Sequence, residues 1–483
     1  MAMISPVALE IAVVCLGIFL LMFDAFLAKS DKRVIAYLAI VGLVTVFGLT
    51  FFLKSASPGM DFSGFYLTDP LAIFFKRFAL LATVLTIILS IDYAPVVARL
   101  IPSETPQAGL GEFFILPVFT CAGLMWMASS ADFIMIFCAL ELVTISFYVQ
   151  VAYMRRSAAS LEAGTKYLIL GALSTGFLVY GITWIFGMTG QTTLARIQSV
   201  LGMVPVENQT ALLFGLGLVL VAIGFKIAAA PFQFWVPDVY QGAPTPVTAY
   251  LSVASKAAGF VVLMRVLEPF LVVPAIREKL MAVMAFLAAA TLIYGNLAAM
   301  PQTNLKRLLA YSSIAHAGYL LVGIASIGSI SAGRAIVFYL FGYLLMTFLA
   351  FLVLVPAAKA SGGDDIANFN GLARRSPGLA FALLISMASL AGVPFTVGFL
   401  GKFFIFEAAM TEHLYLLVVV GVVTVGCGFY YYFKVVRAMY WLPPADDAEA
   451  VIVSPLARIA IVCLTGAILI FGIFPLPILQ LIR

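Results

Sequence analysis

The chain has 483 residues, 64% of them hydrophobic and only 10% charged, with 27 basic and 22 acidic side chains and a formal net charge of +5. A soluble domain carries roughly 25% charged residues, so this composition excludes a soluble protein and defines an all-α polytopic membrane protein. The small positive excess carries no nucleic-acid signal, and the useful information is where the basic residues sit.

A helix needs about 20 apolar residues to cross the ~30 Å hydrocarbon core. About fourteen runs of that kind follow one another, centred near residues 18, 44, 84, 120, 143, 176, 220, 258, 288, 316, 345, 392, 426 and 468. No basic residue precedes the first run and no small-residue cleavage site follows it, so it reads as a first transmembrane helix rather than a signal peptide. The longest polar connections fall near 54–70, 97–112, 190–208, 359–377 and 441–455, which leaves no room for a large soluble domain. The chain therefore reads as a single membrane domain, 1–483, with spans one to three in 1–110, spans four to eight in 111–270, spans nine to thirteen in 278–441 and a last span in 455–483. Cys15, Cys121, Cys138, Cys427 and Cys463 all fall inside apolar spans without metal-like spacing and read as small packed hydrophobes. Asn208-Gln209-Thr210 has the form of a glycosylation acceptor, a pattern so short that it is mostly chance.

Orientation follows from the bias of Lys and Arg among the loops. One alternate set of loops holds Lys29, Lys32, Arg33, Arg99, Arg155, Arg156, Lys306, Arg307, Lys359, Arg374, Arg375, Arg437 and Arg458. The other holds Lys54, Arg196, Arg277, Lys279, Arg334 and Arg483. The larger set is expected on the cytoplasmic side, and fourteen spans then put both termini on the outer, periplasmic side.

Two spans are expected to be discontinuous. The seventh breaks near Pro231, with Pro237, Pro244 and Pro246 following. The twelfth carries Gly392, Pro394, Gly398 and Gly401 around Lys402. Proline removes a backbone donor and clashes with the preceding turn, and in lipid the freed groups must find partners in protein or water. Interrupted helices at matching places in two halves point to a transport site. AAAPF (228–232) resembles AGVPF (391–395), and AAGFVVLMR (257–265) weakly resembles GCGFYYYFK (426–434). The expected architecture is two five-helix inverted repeats, spans four to eight and nine to thirteen. The lysines do not align, since Lys226 precedes its proline and Lys402 follows its own.

An ionisable residue inside a span is costly and is read first as functional. Glu141 lies nine residues beyond Asp132, about 13 Å of helix rise, and so near mid-membrane. A lysine from another span would keep it charged; the other reading is a static ion pair or a neutral, hydrogen-bonded carboxyl. Lys226 stands just before the first break, where a movable glutamate would load or unload its proton; otherwise it caps the broken helix. Lys256 has Ala254, Ser255, Ala257 and Ala258 beside it, which leaves space for water and for close helix approach. It reads as a relay or as a paired lysine. Lys402 stands in the second break, as a terminal proton site or again as a cap, with Glu407 nearer the outer surface. His316, with Ser312, Ser313 and Tyr319, could continue a hydrogen-bonded chain, although a lone histidine is more often a satisfied core residue. Lys434 and Arg437 read as snorkelling residues or an intake path. Arg265, Lys166, Asp24 and Glu10 read as span-end anchors or interface residues. The sequence offers no phosphate loop, cysteine cluster or haem-type histidine pair, so energy for transport is expected from a partner.

FKIAAAPFQFWVPDVYQGAPTPVTAYLSVASK (225–256), LLAYSSIAHAGYLL (308–321) and AGVPFTVGFLGKF (391–403) resemble the antiporter-like membrane subunits of respiratory complex I. VYQGAPTPV and the Ser255-Lys256 pair look like the subunit N branch, related to the mitochondrial subunit 2. Subunit M instead carries glutamate where this chain has Lys402, and subunit L continues into a long amphipathic helix. The resemblance implies a translocase subunit that pumps protons on the energy of NADH oxidation by quinone elsewhere in the complex. It assigns proton transfer to Glu141, Lys226, Lys256 and Lys402. It implies no cofactor on this chain, with FMN, iron–sulfur clusters, NADH and ubiquinone on other subunits. The implied partners are subunits M, K and J in the lipid of a bacterial inner membrane. The remaining readings are a subunit of a cation/proton antiporter and a non-conducting membrane scaffold.

Overall fold

The computed structural model describes residues 7–27, 31–52, 59–61, 64–102, 109–203, 209–329, 331–444 and 451–481. Lys29, Lys54, Asn208 and Arg483, which entered the orientation and glycosylation readings, lie outside these residues. In chain order the helices are α1 (Val7–Phe26), α2 (Arg33–Leu49), α3 (Pro70–Leu100), α4 (Leu110–Ser129), α5 (Phe133–Val151), α6 (Ala158–Thr189), α7 (Leu194–Val200), α8 (Gln209–Ile227), α9 (Trp235–Gly242), α10 (Thr245–Tyr250) and α11 (Lys256–Leu267). Then follow α12 (Pro274–Ala299), α13 (Leu305–Ala325), α14 (Ala332–Ser361), α15 (Leu372–Arg375), α16 (Pro377–Ala391), α17 (Val397–Thr411), α18 (Tyr415–Trp441), α19 (Pro455–Ile473) and α20 (Leu476–Gln480). Among the described residues twelve helical stretches are long and apolar enough to cross a membrane, counting Thr245–Val272 as one, with Arg33–Leu49 and Pro377–Ala391 as shorter apolar helices.

Helix starts follow local chemistry. Asp69 caps α3 by accepting from the Ala72 N–H at 2.8 Å, with Pro70 at the first helical position. Asp132 caps α5 through Ile134 at 2.8 Å, and its second oxygen accepts from the Thr192 and Thr193 hydroxyls at 2.8 and 3.0 Å. Such caps satisfy backbone donors that a helix end leaves open.

Among the described residues one two-stranded sheet departs from an all-helical reading. Gly59–Asp61 (β1) and Tyr66–Thr68 (β2) pair antiparallel, Met60 opposite Leu67, and Tyr66 also bridges to Ser130. The cysteines need correction too. All are free, but only Cys121 is buried, whereas Cys15, Cys138 and Cys463 are exposed on their helices. Apolar sequence context does not say which helix face a residue occupies.

The contacts divide the chain into two units. The first comprises Met1–Ile87, Ala94–Ala228 and Gly242–Leu280. Here α6 and α8 approach closely because glycine faces glycine: a Cβ on Gly181 would stand 2.6 Å from the Gly215 carbonyl oxygen. The second comprises Ile88–Tyr93, Ala229–Gln241 and Met281–Arg483. At its centre α13 is buried along nearly its whole length.

Candidate functional site

In the first unit α8 stops at Ile227, and Ala228 takes a left-handed φ of 63°. This leaves Lys226 in the last turn, where the negative end of the helix dipole favours a cation. Lys226 is 4% exposed, and its ammonium donates to the Thr144 hydroxyl at 2.9 Å. Thr144 follows Glu141 by three residues on α5, a spacing that makes them neighbours on one face. Glu141 is half-buried and accepts from the Thr175 hydroxyl of α6 at 2.7 Å.

Glu141 acts on Lys226 across space, while the hydrogen bonds of each go to a threonine. Lys226 holds Thr144, and Glu141 holds Thr175. Between them lies a cavity of about 10 Å3 lined by Thr144, Ser174, Thr175 and Lys226, the lower limit for one water molecule. On its other side Thr175, with Glu141, lines an open groove of about 650 Å3 among Tyr148, Leu161 and Leu168. Thr175 therefore stands between the open groove, which Glu141 also lines, and the chamber of Lys226. Each threonine hydroxyl can donate one hydrogen bond and accept two, so a water in the chamber would complete a chain from carboxylate to ammonium.

Lys256, 2% exposed, opens α11 directly after a π-helical turn at Leu251–Ser255. Such turns often mark functional positions. One turn on, Gly259 faces the first lysine. A Cβ there would lie 3.4 Å from Lys226 Cγ and 2.7 Å from Ile227 Cγ2, so only glycine lets this span pass so close. The Ser255 hydroxyl beside Lys256 is buried with no hydrogen-bond partner.

In the second unit α16 ends where Gly392 adopts φ 93°. Lys402 of α17, 5% exposed, donates to the Leu390 and Ala391 carbonyls at 2.9 Å each. It thus occupies the capping position that was one of its two readings. Its ammonium also lies 4.8 Å from the centre of the Tyr319 ring, within cation–π range. His316 is held on both nitrogens, by the Tyr339 hydroxyl at 2.6 Å and the Tyr432 hydroxyl at 3.1 Å. Tyr432 bonds onward to Ser312, and the Tyr343 ring lies 5.0 Å from the imidazole. Tyr339 packs against Gly401, where a Cβ would stand 2.8 Å from the ring. The contact is made by the root of the Tyr339 ring and not by its hydroxyl, so the hydrogen-bonded chain ends at Tyr339, on the helix that packs against the one carrying Lys402.

Several participants escaped the sequence reading: Thr144, Thr175, Tyr339, Tyr343 and Tyr432. Their only signal was hydroxyl groups recurring inside apolar spans, as in YLFGY (339–343) and YYY (430–432). Glu407 is exposed on α17. Lys434 donates to the Gln302 carbonyl at 2.8 Å. Of the residues read as span-end anchors, Lys166 pairs with Glu162 and Asp24 with Lys32. Arg265 and Glu10 are instead buried at 6% and 0% exposure. Arg265 holds Asp69 through both guanidinium nitrogens at 2.7 and 2.6 Å.

Interrupted helices around buried lysines define a class, and the family model described as NADH:quinone oxidoreductase/Mrp antiporter, TM, matches residues 130–428. NADH-quinone oxidoreductase subunit N of Trichlorobacter lovleyi is 39% identical over 98% of this chain and 94% of its own length. The chain belongs to the NADH-quinone oxidoreductase subunit N family. Among solved structures, a chain of respiratory complex I from Thermus thermophilus with bound aureothin is 30% identical with a TM-score of 0.81, covering 98% of each chain. A chain of the Mrp complex from Dietzia sp. DQ12-45-1b shares the fold at 18% identity, with a TM-score of 0.83 over 99% of this chain and 96% of its own.

Proposed function

We propose that this chain is a proton-translocating, antiporter-like subunit of an NADH-quinone oxidoreductase, driven by electron transfer from NADH to quinone on other subunits. The observation that carries the reading is the shared Thr175. Lys226, tied to Thr144, lines a chamber of one-water size, and Thr175, on the wall of that chamber, holds the Glu141 carboxylate. Protonation of Glu141 removes its field from Lys226, and its return to the anion restores that field. Lys226 is thereby switched between holding and passing a proton to Lys256. In the second unit Lys402 is the terminal site, and His316 with its tyrosines forms a hydrogen-bonded cluster whose Tyr319 neighbour meets Lys402 through its ring.

The finer architecture is part of the same reading. Adding the two shorter apolar helices, with α16 and α17 taken as one span, gives fourteen spans. Two five-helix inverted repeats then lie in 111–270 and 278–441, each with one discontinuous span. The chain resides in a bacterial inner membrane, with both termini outside and subunits M, K and J among its neighbours. FMN, iron–sulfur clusters and quinone belong to other subunits, and this chain carries no redox centre.

Replacement of Lys226 by alanine tests the reading in the assembled complex reconstituted into vesicles. NADH-driven proton uptake should fall by about 100-fold, since a positioned proton-transfer group contributes about that much or more. Glu141→Gln should slow turnover while the complex still assembles. Undiminished pumping by Lys226→Ala would overturn the mechanism. The Mrp-type fold supports one further reading, a cation/proton antiporter subunit. Sodium-driven proton flux through the isolated chain would favour it.

A further inference from the structure

Glu10 looks like a span-end residue in the sequence, and Lys76 draws no attention there. The structure buries both completely, at 0% exposure. Lys76 Nζ stands 2.9 Å from Glu10 Oε1. The Tyr66 hydroxyl donates to the same oxygen at 3.0 Å, and Lys76 in turn donates to the Tyr66 hydroxyl oxygen. Glu10 Oε2 is buried with no hydrogen-bond partner. Three elements, α1, β2 and α3, thus converge on one ionisable triad.

A static ion pair is a poor account of this arrangement. Removing two charges from water costs about as much as their attraction returns, and apolar replacements of buried pairs are often neutral or stabilising. A structural pair also needs its remaining lone pairs satisfied, yet Oε2 is left open. With Oε1 receiving from Tyr66 and Lys76, the open Oε2 leaves the carboxyl group a second oxygen for exchange with a further partner.

The triad is also connected. Lys76 and Thr83 stand seven residues apart on α3, a period that drifts only about 20° and keeps them on one face, and Asp69, seven residues before Lys76, is the N-cap of the same helix. Asp69, whose side chain is 18% exposed, is held by Arg265. Thr83 shares a hydrogen bond of 2.7 Å with the Tyr250 hydroxyl, and Tyr250 lies six residues before Lys256 in the same span. All these groups belong to the first unit.

We propose that Glu10, Tyr66 and Lys76 form a further proton-transfer site, set in a polar file that runs along α3 from Asp69 towards the span of Lys256. The inference rests on the proton-conduction reading above. In the transfer step the Lys76 ammonium gives a proton to the Tyr66 oxygen as the phenolic proton of Tyr66 passes to Glu10. The products are a neutral amine, an intact phenol and a neutral carboxylic acid. The acid then releases its proton, and Lys76 is reset when it takes up another.

The test compares three variants in the assembled, reconstituted complex, at equal flavin content, by NADH-driven proton uptake. Tyr66→Phe removes only the bridging hydroxyl. Glu10→Leu with Lys76→Met removes the pair while keeping charge balance. Lys226→Ala reports on the general mechanism. The expected result is a loss of on the order of tenfold or more in all three. Full flux in Tyr66→Phe with flux lost in Lys226→Ala overturns the relay and leaves the general reading standing. Full flux in the Glu10→Leu/Lys76→Met double variant with flux lost in Lys226→Ala does the same. Full flux in Lys226→Ala overturns the general reading and this inference with it. If the double variant does not assemble, Tyr66→Phe decides alone.

Discussion

Lys226 and Glu141 are each held by a threonine hydroxyl, and that makes the hydroxyls testable. Thr175→Val keeps the volume and removes the donor to Glu141. A hydrogen bond to a charged group is worth about 1.5–3 kcal/mol, and about 1.4 kcal/mol is tenfold in rate. Proton uptake by Thr175→Val should therefore fall about tenfold, and Thr175→Ser should recover most of it; vesicle assays of the two variants side by side check this. At this scale the sequence was half legible. Glu141, Lys226, Lys256 and Lys402 stand out because charge inside a span is costly. Thr144, Thr175 and the tyrosines around His316 do not, because a hydroxyl satisfies itself on its own helix and marks nothing until another helix meets it. Glu10 is lost for the opposite reason: its position near a span end suggests an anchor or interface residue, and only tertiary packing shows its burial against Lys76, a residue the sequence does not single out.

Among the elements, the two interruptions were legible from proline and glycine, whereas the π-turn before Lys256 was not, since LSVAS contains neither residue. Pro95, Pro117 and Pro356 lie inside continuous helices, so proline alone does not foretell a break. What marks a true one is a residue with positive φ, Ala228 in the first and Gly392 and Phe395 in the second. Gly392→Ala places a Cβ in a left-handed conformation and 3.2 Å from Lys402 Cδ. The left-handed conformation costs about 1–2 kcal/mol for a residue with a side chain. The thermal midpoint of the purified complex should drop, and proton uptake should slow because the carbonyls that hold Lys402 move with the turn.

For the whole molecule, composition alone settled the membrane class, and the family followed from long motifs spread over both units. The small β-hairpin was beyond reach, since two three-residue strands leave no periodic signal. Orientation rests on loop charge. Arg155 and Arg156, exposed between α5 and α6, should face the cytoplasm. A single cysteine placed at Arg155 in a chain whose native cysteines are replaced should be labelled by a membrane-impermeant maleimide in inverted vesicles and protected in intact cells. The opposite pattern would reverse the orientation.

Lys402 braces the severed end of α16 while its charge rests on the face of Tyr319. A neutral amine keeps two N–H donors for the two carbonyls but gives up its attraction to the ring. The splint that holds this end together is therefore strong only while it is charged. On the proposed function, in which Lys402 gives up and regains a proton, each departure would loosen this joint and each arrival tighten it, as a ratchet pawl whose grip is set by its cargo.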